Sequence, residues 1–357
     1  MIWLTLLLPL CVPVVAAFYY KQGRSLSEYM IHIVVTVVVT TGVFYAGKYY
    51  PAMDFEVLNG YVTNKKQVYN PRTEYYECNC RSVTRTSGTG KNKTTYSSRE
   101  CSTCSRIIPE WDWTVFTTVG NININRIDSD GRREPSRWTK ACIGEPASLE
   151  HTYINQIKGV RDSIFHYNKD LVESYKEKVP EYPEVKDYYR FNRVLNNTKI
   201  DTNDWNDYLN DRLKSLGVQK QVNIITVVTD EPYEFADALK YMWLGGKKND
   251  VVMMFGNKDG KISWFSSTSL ADGYKNQTLH ARLRMNAHNK DINMELLKEQ
   301  IDIVQSDFER IPMEEFDYLT SESEPPMWVI ILAIILGVSA SIATSYGLNR
   351  FSNRRGF

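Results

Sequence analysis

The stretch "VNIITVVTDEPYEFADALKYMWLGGKKNDVVMMFGNKDGKISW", Val222 to Trp264, decides the fold class. Val222–Thr229 is an apolar run too short for a helix and bounded by a polar turn, so it reads as a buried strand. "PYEFADALKYMWLG" follows with helical spacing. A second apolar run, "DVVMMFG", then leads through Asp259-Gly260 into "KISWFSS". Strand, helix, strand and hairpin in that order predict a βαβ unit whose sheet is buried on both faces.

Outward from this unit the helical spacing continues. In "DTNDWNDYLNDRLKSLG" (Asp201–Gly217), Trp205, Tyr208, Leu209, Leu213 and Leu216 share one face, and Gly217 is the expected stop. "NMELLKEQIDIVQSDFERI" is expected to hold two further helices, and "ARLRMNAHNKD" a solvated basic helix face. "VRDSIFHYNKDLVESYKEK" has helical spacing until two prolines in "VPEYPEV" break it.

From Asp54 to Gln156 the period changes to that of strands. "FEVLNGYV", "EYYECNCRSV", "TTYSSREC", "WDWTVFTTV" and "NININRI" are short runs rich in β-branched and aromatic residues. They are expected to turn at Asn59-Gly60, at Gly88/Gly90 and at "DSDG". Cys78-x-Cys80 and Cys101-x-x-Cys104 flank the polar tip "SGTGKNK". Two thiolate pairs brought together by one hairpin can close a tetrahedral zinc site. In an oxidising compartment the same four residues form two cross-hairpin disulfides. Either way they staple a β module too thin to bury much core. The tip is no phosphate-binding loop, since Arg85 and Asn92 stand where that motif needs Gly and Ser or Thr. Cys11 and Cys142 are expected to be ordinary buried thiols, and Trp111, Trp113 and Trp138 core aromatics.

The 357 residues carry a net charge of +1, which points to no nucleic-acid partner. Three apolar blocks, Met1–Tyr20, Tyr29–Tyr50 and Pro325–Leu348, each approach the roughly 20 residues that cross a bilayer. The first lacks the basic start of a signal peptide, so the first two read as a retained helical hairpin. Lys21 and Arg24 lie in its loop, and Arg350, Arg354 and Arg355 follow the third block, whose other flank carries Glu322 and Glu324. The positive-inside rule then puts the hairpin loop and C-terminus in the cytoplasm of an inner membrane, with Pro51–Glu324 outside, in a periplasm. The expected class is an α+β membrane protein. Its segments are membrane helices at 1–20, 29–50 and 325–348, a cytoplasmic loop at 21–28, and a β-rich domain with the four-cysteine hairpin at 51–158. A helical, Pro-rich connector at 159–200, an α/β domain at 201–324 and a basic tail at 349–357 complete the chain.

Trp243, Gly245 or Gly246, and "NDVVMMFGNKDGK" give the α/β region a resemblance to the TPM domain, an extracytosolic α/β module often tethered by a membrane helix. Asp250 stands where that family usually has Gly. The resemblance implies either a metal-dependent phosphatase or an accessory subunit of a membrane complex. "CNC…SGTGKNK…CSTC", "INRIDSDGRREPSRW" and "IGEPASLEHTYINQIKG" also resemble membrane proteins encoded by large tailed phages.

No His-x-x-x-His, Gly-x-Ser-x-Gly or nucleophile–base pattern appears, so no catalytic residue is expected. Asp230 and Glu231 follow the first strand of the βαβ unit, where they could hold a divalent cation or serve as turn and helix N-cap residues. The expected function is an envelope interaction module with a protein partner, and homo-oligomerisation is compatible with a domain tethered at both ends. The alternative is a metal-dependent phosphatase.

Overall fold

The structure, a computed structural model, describes residues 2–19, 26–87, 94–158, 160, 169–186, 190–270, 275–321 and 323–355. The basic loop with Lys21 and Arg24, the hairpin tip at 88–93, residues 161–168 of the stretch expected to be helical, and Glu322 lie outside these residues.

Helices α1 (Ile2–Tyr19) and α2 (Leu26–Tyr49) pack with the last helix of the chain, α9 (Met327–Arg355). Two helical stretches, Leu26–Ala52 and Met327–Arg350, are long and apolar enough to cross a membrane; Ile2–Ala16 is a shorter apolar stretch. Small residues let the three helices approach closely. A β-carbon on Gly337 would stand 2.2 Å from the Thr40 hydroxyl and 3.0 Å from Pro9, and one on Gly47 would strike Val329. His32 is fully buried among these helices, its Nε2 2.7 Å from the Ser341 hydroxyl. The outward sides carry Trp3, Leu7, Val34, Val38, Ile331 and Ile335, all exposed.

A three-residue 3-10 turn, Tyr50–Ala52, passes α2 directly into β1 (Met53–Tyr69). The first part of β1 pairs with β6 (Pro146–Ile154). After a bulge between Val62 and Asn64, the second pairs with β4 (Trp111–Thr117), which pairs in turn with β5 (Gly120–Ile124). Val62, Trp113, Val115, Ile122, Ile124 and Ala147 fill the core of this four-stranded layer. Asn59-Gly60 does not turn the chain. It lies inside β1, because the Asn59 side chain is engaged by buried partners far along the sequence. The "DSDG" turn does form, with Gly131 in the left-handed region at φ 69°.

Beyond the short helices α3 (Ser136–Thr139) and α4 (Lys169–Tyr175) and the small hairpin β7 (Val185–Lys186) and β8 (Arg190–Phe191), the α/β half begins. Its sheet has the order β12-β11-β10-β9. Strands β9 (Val194–Asn196), β10 (Asn223–Thr229) and β11 (Asp250–Lys258) run parallel, and β12 (Lys261–Ser269) is antiparallel at the edge. Alternation divides the strands between two cores. Ile224, Val228, Met253 and Phe255 face helices α5 (Trp205–Lys220), α7 (Gln277–Ala287) and α8 (Met294–Asp307). Ile225, Val227, Val252 and Met254 face α6 (Glu234–Met242) through Phe235 and Leu239. The βαβ unit and its hairpin are therefore present as read. Two details differ. Gly217 does not stop α5, which runs on to Lys220 and ends at Gln221 in the left-handed conformation. The stretch after Asn293 forms one α-helix rather than two, and a 3-10 segment, Met313–Ser321, follows it.

Candidate functional site

Among the described residues, strands β2 (Arg72–Ser87) and β3 (Thr94–Ile108) pair only with each other. At about 3.3 Å per residue the ribbon is roughly 50 Å long. None of its described side chains is buried, and Tyr75, Tyr76, Tyr96 and Ile107 are exposed. A two-stranded ribbon of this kind is marginally stable in water by itself. Cys78 is bonded to Cys104 and Cys80 to Cys101, two staples across the strands. The unequal spacings, one intervening residue against two, meet through a bulge between Cys78 and Arg81, where Asn79 takes a left-handed φ of 50°. Glu74–Arg106, Arg85–Glu100 and Ser82–Ser97 reinforce the ribbon across its strands.

The root of this arm is built from charge. Arg72 donates to Glu110 at 2.9 Å, Arg126 bridges Glu110 and Asp112, and Asn70 Nδ2 donates to Asp112 at 2.7 Å. The Arg126 and Arg72 hydrogen bonds hold the Glu110 carboxyl below its usual range. The arm thus leaves a stiff corner at Asn70–Pro71, where the Asn70 N–H donates to the Glu110 carbonyl.

The four cysteines expected to bind zinc or form disulfides are brought together in the disulfide form. Glu77, Cys80 and Cys101 form, among the described residues, a grouping whose ligand atoms lie within 4.8 Å of one another. Those sulfurs would have to be reduced to thiolates before they could bind an ion. Cys142 and Cys11 are exposed, contrary to expectation: Cys142 lies on a surface loop and Cys11 on the outward side of α1.

Asp230 and Glu231 sit at the carboxyl end of β10, each beside a hydrogen-bond donor. Asp230 accepts from Asn257 Nδ2 at 2.6 Å, and Glu231 pairs with Lys178 at 2.8 Å. The N-cap of α6 is Tyr233, which makes no side-chain cap, so neither carboxylate caps that helix.

At the opposite ends of the strands lies a buried polar cluster that the sequence did not announce. Arg193 is 1% exposed. Its Nε donates to Asn210 at 2.8 Å, and its Nη groups donate to Asn59, Asn223 and Ser148. Asn223 Nδ2 donates onward to Asp250 at 2.7 Å, and Tyr182 OH donates to the same carboxylate at 3.0 Å. Burial pushes Asp250 up to about 6, against hydrogen bonds from the Lys247 N–H, Asn223 and Tyr182. Burial also pulls Arg193 down and pushes Tyr182 up. Because Asn59 and Ser148 belong to β1 and β6, the cluster fastens the β layer to the start of the α/β sheet. Next to it Lys247 Nζ sits 2.6 Å from Asp54 and 4.0 Å from the centre of the Phe55 ring. A cavity of about 320 Å³ lined by Glu145, Lys186, Arg190, Asn206 and Asp207 opens beside it.

Compared with protein-family models, curated proteins and solved structures, the chain matches none of them.

Proposed function

We propose that this chain is a membrane-anchored interaction module of the cell envelope, held by α1, α2 and α9 and presenting the β2–β3 arm to a protein partner outside the cytoplasm. The observation that carries this reading is the arm itself. A ribbon of roughly 50 Å with no buried side chain among its described residues adds nothing to the core there, yet it is stapled by two disulfides and fixed at its root by an ion-pair network. Paired disulfides fit an oxidising compartment, which favours the far side of the membrane from the reducing cytoplasm. The apolar outward sides of the helices fit a lipid surround, with the C-terminal tail in the cytoplasm. Exposed Tyr and Arg side chains along the arm are the residue types that anchor protein interfaces.

The TPM-like reading of the α/β half is supported by its strand–helix–strand–hairpin order, and its phosphatase variant by the position of Asp230 and Glu231 at strand ends. The Lys178 ammonium paired with Glu231 weighs against a cation there, so the interaction reading is preferred. A phage origin and self-assembly are compatible with the same layout.

The test is photo-crosslinking in native membranes with a crosslinking residue at Tyr75 or Ile107 on the arm, and at the half-exposed Val218 of α5 as control. A discrete adduct from the arm positions alone is expected. Equal labelling from Val218, or no adduct from either arm position, would overturn the reading.

A further inference from the structure

We propose that the underside of the extracytosolic body is a second membrane-contacting surface, in which Tyr50, Met53, Ile154 and Tyr318 rest in the headgroup layer of the bilayer. This rests on the membrane reading of α2 and α9.

Met53 and Ile154 stand directly opposite each other where β1 begins and β6 ends, and both are exposed, at 48% and 41%. Directly opposed side chains on one sheet face touch, so the two make a single apolar step. Tyr50 precedes it by three residues and is 79% exposed. Tyr318 lies in the 3-10 segment that leads to α9, whose neighbouring Leu319 packs, as Tyr153 and Ile157 do, against the small core of Leu270, Ile311, Met313 and Phe316. The Lys48 ammonium at the end of α2 donates to the Thr320 carbonyl at 2.9 Å, which ties that segment to the point where the chain leaves α2. Gly47 against Val329 fixes the start of α9 at the same level, and Trp328 is exposed there. Thus five exposed apolar or aromatic side chains are gathered around the two helix ends, continuous with the apolar sides of the helices themselves.

Such a cluster is unfavourable in water and favourable at a bilayer boundary, where Tyr and Trp concentrate. Its rim is basic. Lys158 donates to the Met53 carbonyl at 3.1 Å, and Lys248 lies 5.2 Å from the centre of the Tyr153 ring. The patch runs without a break into the exposed apolar side of α9 at Trp328, Ile331 and Ile335, and the two ammonium groups can meet lipid phosphates, so the occupant is the headgroup layer of the bilayer that holds that helix.

The experiment uses the full chain with Cys11→Ser and Cys142→Ser and single fluorophore-labelled cysteines, reconstituted without reductant in phosphatidylcholine–phosphatidylglycerol vesicles. Labels go on Ile154→Cys, Ile335→Cys in α9 and Tyr75→Cys on the arm, with Met53→Cys as a second probe of the surface. The quenchers are a headgroup spin-labelled lipid and a tail-brominated lipid. We expect the Ile335 label to lose intensity with the tail quencher, the Ile154 and Met53 labels with the headgroup quencher, and the Tyr75 label with neither. Ile154 and Met53 labels as unquenched as Tyr75, beside a quenched Ile335, would overturn this inference and leave the membrane reading standing. An unquenched Ile335 would overturn both. Shielding of Ile154 and Met53 that disappears on dilution into lipid would assign the surface to a second copy and overturn the inference as well.

Discussion

Gly217 of α5 lies so close to Asn59 of β1 that a β-carbon on the glycine would stand 2.5 Å from both the Asn59 carbonyl oxygen and its β-carbon. The approach is what lets Asn59 reach the Val222 carbonyl at 3.0 Å and the Arg193 guanidinium. Gly217→Val would push the strand off the helix. An overpacked contact of this kind costs about 1–3 kcal/mol, read as a lowered thermal midpoint in detergent. An unchanged midpoint would show that the two layers are not coupled there.

Arg193 is the hub of the same contact. Arg193→Met keeps the volume of the stem but takes the guanidinium donors from the side-chain oxygens of Asn210, Asn59 and Asn223, of which Asn59 and Asn223 keep one donor each, Ser148 Oγ and Asn59 Nδ2. Leaving a buried polar group short of a hydrogen bond costs about 1–3 kcal/mol. Chemical denaturation should show a loss of that size, whereas Arg190→Met, on the exposed side of the β7–β8 hairpin, should change little.

Asp250 makes stability depend on pH. Its carboxyl ionises at about 6 in the folded chain against 3.8 ordinarily, so the folded state binds the proton more tightly. The contribution of this group is therefore fully present below 3.8 and lost as pH rises to about 6 and beyond. Asp250→Asn should flatten the pH dependence of the thermal midpoint across that window. An unaltered profile would show that the carboxyl does not titrate there.

The disulfides should matter to the arm and not to the body. Cys80→Ser with Cys101→Ser removes one staple, a change of about 2–4 kcal/mol in the local opening of the hairpin. Limited trypsin digestion should then cut at Arg81, Arg85 or Arg99 well before the body is attacked. Mass spectrometry of the fragments reads the result. Cleavage at an unchanged rate would mean that the ion pairs and the remaining staple suffice.

If the α/β half is an interaction scaffold, phosphomonoester hydrolysis with Mg²⁺ or Mn²⁺ should stay at background, and Asp230→Ala should fold normally and alter nothing. Turnover that disappears in Asp230→Ala would favour the phosphatase reading instead.

Much of this architecture was legible because it rests on local periodicity. The apolar runs at Val222–Thr229 and Asp250–Gly256 could bury both faces only in a covered sheet, and the face shared by Trp205, Leu209, Leu213 and Leu216 fixed α5. The four cysteines announced a stapled hairpin, and the structure supplies the pairing and the bulge at Asn79. Long-range contacts were not legible. Asn59-Gly60 has the composition of a turn, and partners far along the chain, Ser148, Arg193 and Val222, engage Asn59 in a strand instead. Gly217 looks like a helix stop because sequence alone does not show the strand pressing against it. Arg193 stands in a polar stretch with no spacing signal, and its ligands are neutral amides and a hydroxyl scattered over four elements.

The three-residue passage from α2 into β1 has a mechanical side. β1 starts at the end of α2 and ends at the corner from which the arm departs, so one strand of 17 residues, bulged once between Val62 and Asn64, joins the helix bundle to the arm's root. Away from that bulge the path has little slack, because extended backbone is near its full length and the Lys48–Thr320 contact braces its lower end. A pull on the arm's root is therefore expected to reach the end of α2, where Gly47 packs on Val329 of α9.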